Sequence, residues 1–444
     1  MGTGSDPRQI IDDAPLSRLQ IIAIAIAVGL NALDGFDVLS ISFAAPGIAK
    51  EWNIDKAALG VVLSMELIGM AVGSVLFGGI ADRIGRRKTI LTCLVVMAFG
   101  MLMVPGAANV FHLSFWRVLT GLGIGGMLAA TAAITAEFAN RKRRNLALAI
   151  MTIGYPIGAV VGGIISTFLL AHFDWRSVFI FGGCATLCFL PLVLFFVPEP
   201  MQFLLVHRDA GTLDRVNGLM RRLGHAPVTE LPAVTQAEEK ASIADILKPG
   251  LIATTLLVTA AYFLHIVTFY FVLKWAPKIV VDMGFAPASA AGVLVWANIG
   301  GAVGGGIFGF LTQRYSLKGM TIGVLLLSFG MVTIFGAAGA TTLVGLSLLA
   351  FAVGLFTNSG VVGLYTIFAH AFPTHVRGTG TGFAIGIGRG GAALSPILAG
   401  VLFQAGLSLA VVAAILGCGS LLAMLALAGL KLGGGDGRQQ AAHG

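Results

Sequence analysis

The chain has 444 residues, 57 % of them hydrophobic and 11 % charged, with a mean hydropathy of +0.93. A soluble domain carries about 25 % charged residues, so composition excludes the soluble globular class and points to a polytopic membrane protein. The formal net charge of +8 is partitioned between alternate loops, which excludes a nucleic-acid partner and leaves the lipid bilayer as the expected surrounding.

Spans of about 20 apolar residues fall at 19–45, 58–81, 89–108, 111–137, 145–170, 176–197, 249–274, 287–312, 319–338, 341–370, 378–404 and 407–432. The pattern predicts an all-α fold of twelve transmembrane helices. They form two pseudo-symmetric six-helix halves, 1–197 and 249–444, around a cytoplasmic linker at 198–248. Arg83, Arg86, Arg87 and Lys88 lie between spans 2 and 3, and Arg141, Lys142, Arg143 and Arg144 between spans 4 and 5. Arg208, Arg215, Arg221, Arg222, Lys240 and Lys248 lie in the linker, whereas the alternate loops hold only Lys50, Lys56, Arg176, Lys274 and Lys278. Basic residues collect on the cytoplasmic side, so both termini are expected there. The polar segment Met1 to Asp13 lacks the order of a signal peptide, and span 1 is read as its own insertion signal.

Span 1 holds Asn31, Asp34, Asp37 and Ser40, one polar stripe at helical spacing. Each ionised Asp at the centre of a spanning helix costs about 2.5–3.5 kcal/mol on insertion scales. Such acids are paired, protonated or facing a wet cavity, and Asp34 and Asp37 are read as proton-handling groups that titrate together. Span 2 carries Glu66, whose role stays open, and ends in Gly78-Gly79-Ile80-Ala81-Asp82-Arg83-Ile84-Gly85-Arg86-Arg87-Lys88. This short charged loop suits a gate locked by ion pairs, with a plain charged turn as the simpler reading. In span 4, Arg117 lies within snorkelling reach of the interface. Glu137 at the other end is expected to pair with the run Arg141 to Arg144.

In the linker, Leu213, Val216, Met220 and Leu223 repeat at helical spacing and predict an amphipathic helix on the cytoplasmic face. The spans of the second half contain no Asp or Glu but hold Tyr262, His265, Tyr270, Trp296, Asn298, Asn358 and Tyr365. Arg389 lies deep in span 11, too far from either end to snorkel easily, and reads as an internal anion site. His265 reads equally as a packing residue or a ligand. Loop 8–9 echoes the loop after span 2, with Gln313 where Asp82 would fall, the repeat expected of two related halves. The four cysteines have neither metal spacing nor a disulfide framework. With no nucleophile-base arrangement or phosphate loop, no enzyme activity, metal or cofactor is expected.

The motif Gly78-x3-Asp82-Arg83-x-Gly85-Arg86-Arg87 resembles the signature of the major facilitator superfamily between helices 2 and 3, and Arg117-x3-Gly121-x-Gly123 resembles its helix 4 motif. Asp34-Gly35-Phe36-Asp37, with Arg377 and Arg389 around span 11, is similar to the aromatic acid:proton symporter family, which imports benzoate-type and hydroxybenzoate-type acids in bacteria. The resemblance implies a multi-pass inner-membrane protein serving aromatic catabolism. It also implies that Asp34 and Asp37 couple protons, and that Asp82, Arg83 and Arg87 form the cytoplasmic gate. Arg117, Glu137, Arg377 and Arg389 are implied to matter for transport. Gln313 and Glu66 depart from the family pattern.

The expected partners are therefore protons and a small aromatic carboxylate. Its charge would meet Arg389, since a guanidinium binds carboxylates in two-pronged fashion. Its ring would meet Phe36, Tyr262, Tyr270, Trp296 and Tyr365, and its hydroxyls Asn298, Asn358 or His265. A proton symporter for a sugar acid or dicarboxylate, and a receptor that senses an aromatic acid without moving it, remain as alternatives.

Overall fold

The computed structural model describes residues 6–209, 211–232, 242–338, 342–373 and 376–430, and their regular structure is helical throughout. Among the described residues, twelve helices are long and apolar enough to cross a membrane. They are α1 (Arg18–Trp52), α2 (Lys56–Ile84), α3 (Arg86–Met103), α4 (Val110–Phe138), α5 (Arg144–His172), α6 (Arg176–Phe196), α7 (Ile252–Asp282), α8 (Pro287–Leu311), α9 (Leu317–Ala337), α10 (Leu343–Ala371), α11 (Arg377–Gln404) and α12 (Leu409–Gly429). Hydropathy locates the spans, and capping side chains fix several of their starts. Asn109, Ser316, Thr342 and Ser408 accept first-turn amides of α4, α9, α10 and α12.

One boundary differs in a way that matters. Span 7 was expected to stop at residue 274, but α7 continues to Asp282. Lys274 is therefore not a loop residue: it stands inside a helix and is fully buried.

The chain divides into two compact units. The first comprises Met1–Ser40, Ile68–Gly162 and Phe173–Glu238. Within it, α1 and α5 cross almost backbone to backbone, because a Cβ on Gly35 or Gly158 would run into the carbonyl oxygen of Tyr155 or Ala32. Asn31 ties the same crossing, its Nδ2 donating to the Met151 carbonyl at 2.7 Å. A short helix, Pro7–Asp13, meets the basic run before α5: Asp12 pairs with Arg144 at 2.5 Å and Asp13 with Arg141 at 3.5 Å. Glu137 pairs with Arg86 at the start of α3, at 3.5 Å, and Arg144 of the expected run lies within electrostatic reach of it as well. The amphipathic helix covers Thr212–Leu223 and buries Val216, Leu219, Met220 and Leu223. It ends at Gly224, whose φ of +85° suits a glycine terminator.

The second unit comprises Ile41–Leu67, Gly163–His172 and Glu239–Gly444. It contains α7 to α12 together with one end each of α1, α2 and α5, the ends away from the basic loops. Asn358 joins α10 to α8 through a 2.7 Å bond from Nδ2 to the Gly301 carbonyl.

Candidate functional site

In the first unit the polar stripe of α1 is wholly enclosed. Asn31, Asp34, Asp37 and Ser40 are between 0 and 3 % exposed. Arg117 is also fully buried and does not snorkel. It turns toward α1, where Nη2 donates to the Asp37 carbonyl oxygen at 3.1 Å while Nη1 lies 3.1 Å from Met101 Sδ. Its guanidinium stands 5.3 Å from the Phe179 ring centroid. The Ser40 hydroxyl donates to the same Asp37 carbonyl at 2.7 Å. On the α6 side, a Cβ on Gly182 would lie 3.3 Å from Asp37 Oδ1, so a small residue leaves room for the carboxylate. Phe36 packs edge-on to Phe181, ring centroids 5.4 Å apart. An acid stripe and a buried cation thus share one low-dielectric region, where each offsets part of the other's desolvation cost.

In the second unit, Tyr262 and Tyr365 join hydroxyl to hydroxyl at 3.0 Å, and both rings contact Phe368. Arg389 and Tyr270 lie within electrostatic reach of Tyr262, and the Tyr262 ring packs directly on Gly388. Arg389 is half-buried and Tyr365 is exposed. The structure therefore pairs Tyr262 with Tyr365, with Arg389 and Tyr270 in their electrostatic neighbourhood.

Other expected wall residues are engaged elsewhere. His265 is fully buried, with Nε2 2.8 Å from the Thr357 carbonyl and Nδ1 2.9 Å from Ser420 Oγ. A carbonyl only accepts, so Nε2 carries the proton and Nδ1 accepts from the serine. Both nitrogens serve helix packing. Asn298 donates within its own helix to the Leu294 carbonyl at 2.9 Å, and Trp296 meets Phe351 edge-on.

The basic loop after α2 is organised by a residue that sequence reading passed over. The Glu199 carboxylate accepts from the backbone amides of Arg86 at 2.6 Å and Arg87 at 3.3 Å. It supplies the N-terminal cap that Gly85 lacks. Burial pushes the Glu199 carboxyl above its ordinary range, against the opposing pull of those amide bonds and of the Arg86 and Arg87 charges. The available signal was an acid between two prolines just after span 6. The Arg87 guanidinium reaches the Leu194 carbonyl, Arg83 is exposed, and the Asp82 side chain lies outside the described residues. Arg377 is exposed in the first turn of α11, its Nε 3.4 Å from the Phe372 carbonyl.

Gly85 sits at φ +101° and ψ 154°, a region that costs a side chain about 1–3 kcal/mol. A Cβ there would also stand 2.7 Å from the Glu199 carboxylate atoms. Gly85→Ala is expected to lower the thermal unfolding midpoint of the purified protein, and an unchanged midpoint would contradict this capping arrangement.

Among the described residues, twelve helices long and apolar enough to cross a membrane, with acid and guanidinium groups buried among them, describe a polytopic membrane protein. The chain belongs to the Major Facilitator Superfamily, whose family model matches residues 27–316. It is 28 % identical to the gallate transporter of Pseudomonas putida, over 95 % of this chain and 94 % of that one. It is 29 % identical to the 4-hydroxybenzoate transporter PcaK of Acinetobacter baylyi, over 89 % and 88 % of the two chains. Among solved structures, a D-xylose-proton symporter superposes with a TM-score of 0.71 at 17 % identity, covering 92 % of this chain and 97 % of that one.

Proposed function

We propose that this transporter imports a monovalent aromatic carboxylate, of the benzoate or hydroxybenzoate type, together with protons. The two six-helix halves, 1–197 and 249–444, would alternate access to a central site, with the basic loops and both termini in the cytoplasm. The observation that carries this reading is the Tyr262–Tyr365–Arg389 grouping. A guanidinium near packed, tilted aromatic rings suits a flat anion better than it suits a sugar acid, whose many hydroxyls need many polar partners. The names of the relatives, gallate and 4-hydroxybenzoate transporters, support the same substrate class. Asp34 and Asp37 supply the proton sites, with Arg117 as their positioning neighbour. Arg83, Arg87, Glu137 and Arg377 belong to the machinery that opens and closes the cytoplasmic side.

Thermal stabilisation of the detergent-purified protein tests the substrate class. A ligand at about ten times its Kd stabilises by about 1.4 kcal/mol, which is readable as a midpoint shift. Benzoate, hydroxybenzoates and gallate are expected to shift the midpoint, and gluconate and succinate to leave it unmoved. A shift with gluconate or succinate alone would overturn the assignment.

A further inference from the structure

Glu66 on α2 and Lys274 on α7 form an ion pair, Nζ to Oε2 3.6 Å, with both side chains completely enclosed. Desolvation cancels most of the attraction in such a pair, yet removing one partner strands the other at a cost of about 3–5 kcal/mol. Hence the pair matters less as a general stabiliser than as a device that distinguishes one arrangement of helices from another.

Its position says which arrangement. The first unit takes up α2 from Ile68 onward, whereas Ile41–Leu67, with Glu66 at its end, packs with α7 to α12 in the second unit. Around the pair the seat is close-fitting. A Cβ on Gly60 would run into the Pro396 carbonyl, and one on Gly400 would meet the Lys56 carbonyl at 2.5 Å. The Lys56 amide donates to Gln404 Oε1 at 3.3 Å, and Trp275, next to Lys274, donates its Nε1 to the Pro396 carbonyl at 3.2 Å. The charge pattern predicts that these helix ends, opposite the basic loops, face outside.

We infer that Glu66 and Lys274 are the outside latch of the transport cycle. The pair is made while the outer ends of α1, α2 and α5 are seated on α7, α8 and α11. It breaks when they lift away and water hydrates both ions. This rests on the alternating-access reading above, but it needs no particular substrate. Neutralising one partner raises the energy of the closed-outside state alone, and the population shifts toward the open one.

The test uses Ser64→Cys as a reporter. Ser64 is fully buried on α2, its hydroxyl donating to the Gly60 carbonyl at 3.0 Å. Labelling by a membrane-impermeant maleimide added outside intact cells is measured without substrate, and the parent lacking the reporter sets the background from the native cysteines. Labelling is expected to be slow in the otherwise unchanged protein and about tenfold or more faster with Glu66→Gln or Lys274→Gln. It should return to slow in the charge-swapped pair Glu66→Lys with Lys274→Glu. Glu66→Asp, which keeps the charge at a longer distance, should fall between and serves if a neutralised variant does not fold. Neutralised or shortened variants that label as slowly as the parent overturn the latch, even if they are less heat-stable. So does a folded charge swap that labels as fast as the neutralised variants. Because the readout is independent of substrate, a wrong substrate class leaves this result standing.

Discussion

Asp37→Asn is expected to abolish uphill accumulation of substrate in proteoliposomes with an imposed proton gradient, bringing the accumulation ratio to unity while counterflow exchange persists. Asparagine keeps the shape of the side chain and its place beside Gly182 but cannot take up and release a proton. Asp34→Asn is expected to act alike, because the two carboxylates stand one turn apart in the same enclosed stripe and, under the proposed coupling, would serve it together. Arg117 bonds to the backbone carbonyl of Asp37, a contact that Asp37→Asn leaves in place. Intact gradient-driven accumulation in both variants would remove these acids from coupling.

Arg389→Ala carries the second large effect. A hydrogen bond to a charged group contributes about 1.5–3 kcal/mol, so loss of the guanidinium is expected to weaken binding of benzoate-type acids by about 10- to 150-fold. Arg389→Lys should recover part of this, since an ammonium supplies the charge without the planar fork. The Tyr262–Tyr365 contact does not depend on the arginine, so the aromatic wall should survive and neutral aromatic analogues should bind Arg389→Ala and the parent alike. Unchanged affinity for the acids would place the anion site elsewhere. Equilibrium binding by calorimetry distinguishes these outcomes.

The span pattern was legible because lipid imposes it: twelve apolar runs became twelve helices among the described residues, the resemblance to the superfamily was carried by motifs at the end of α2 and in α4, and the narrower likeness to the aromatic acid symporters by residues of α1 and α11. The acids of α1 were equally plain, since two carboxylates in an apolar run demand an explanation. What stayed hidden was pairing over long sequence distances. Lys274 looked like the start of a loop because a charge near the end of a hydrophobic run closes the run on hydropathy alone. Only the structure carries α7 on to Asp282 and sets Glu66 opposite. Glu137 stood next to four cations in the sequence, yet its ion pair is with Arg86, which the fold of the basic end brings closer, and of the four Arg144 acts on it from farther away. Arg117 has a long flexible stem, so direction, not position, decides between interface and interior, and direction is set by α1 and α6. His265 was ambiguous for the same reason, and the hydroxyl and carbonyl that occupy its two nitrogens come from α12 and α10.

Coupling is tested most directly by recording external pH while the purified protein in lightly buffered proteoliposomes takes up 4-hydroxybenzoate added outside. The account predicts alkalinisation of the medium that follows substrate entry, requires the aromatic carboxylate and disappears in Asp34→Asn. Entry of the acid through the protein without any accompanying change in external pH would contradict it.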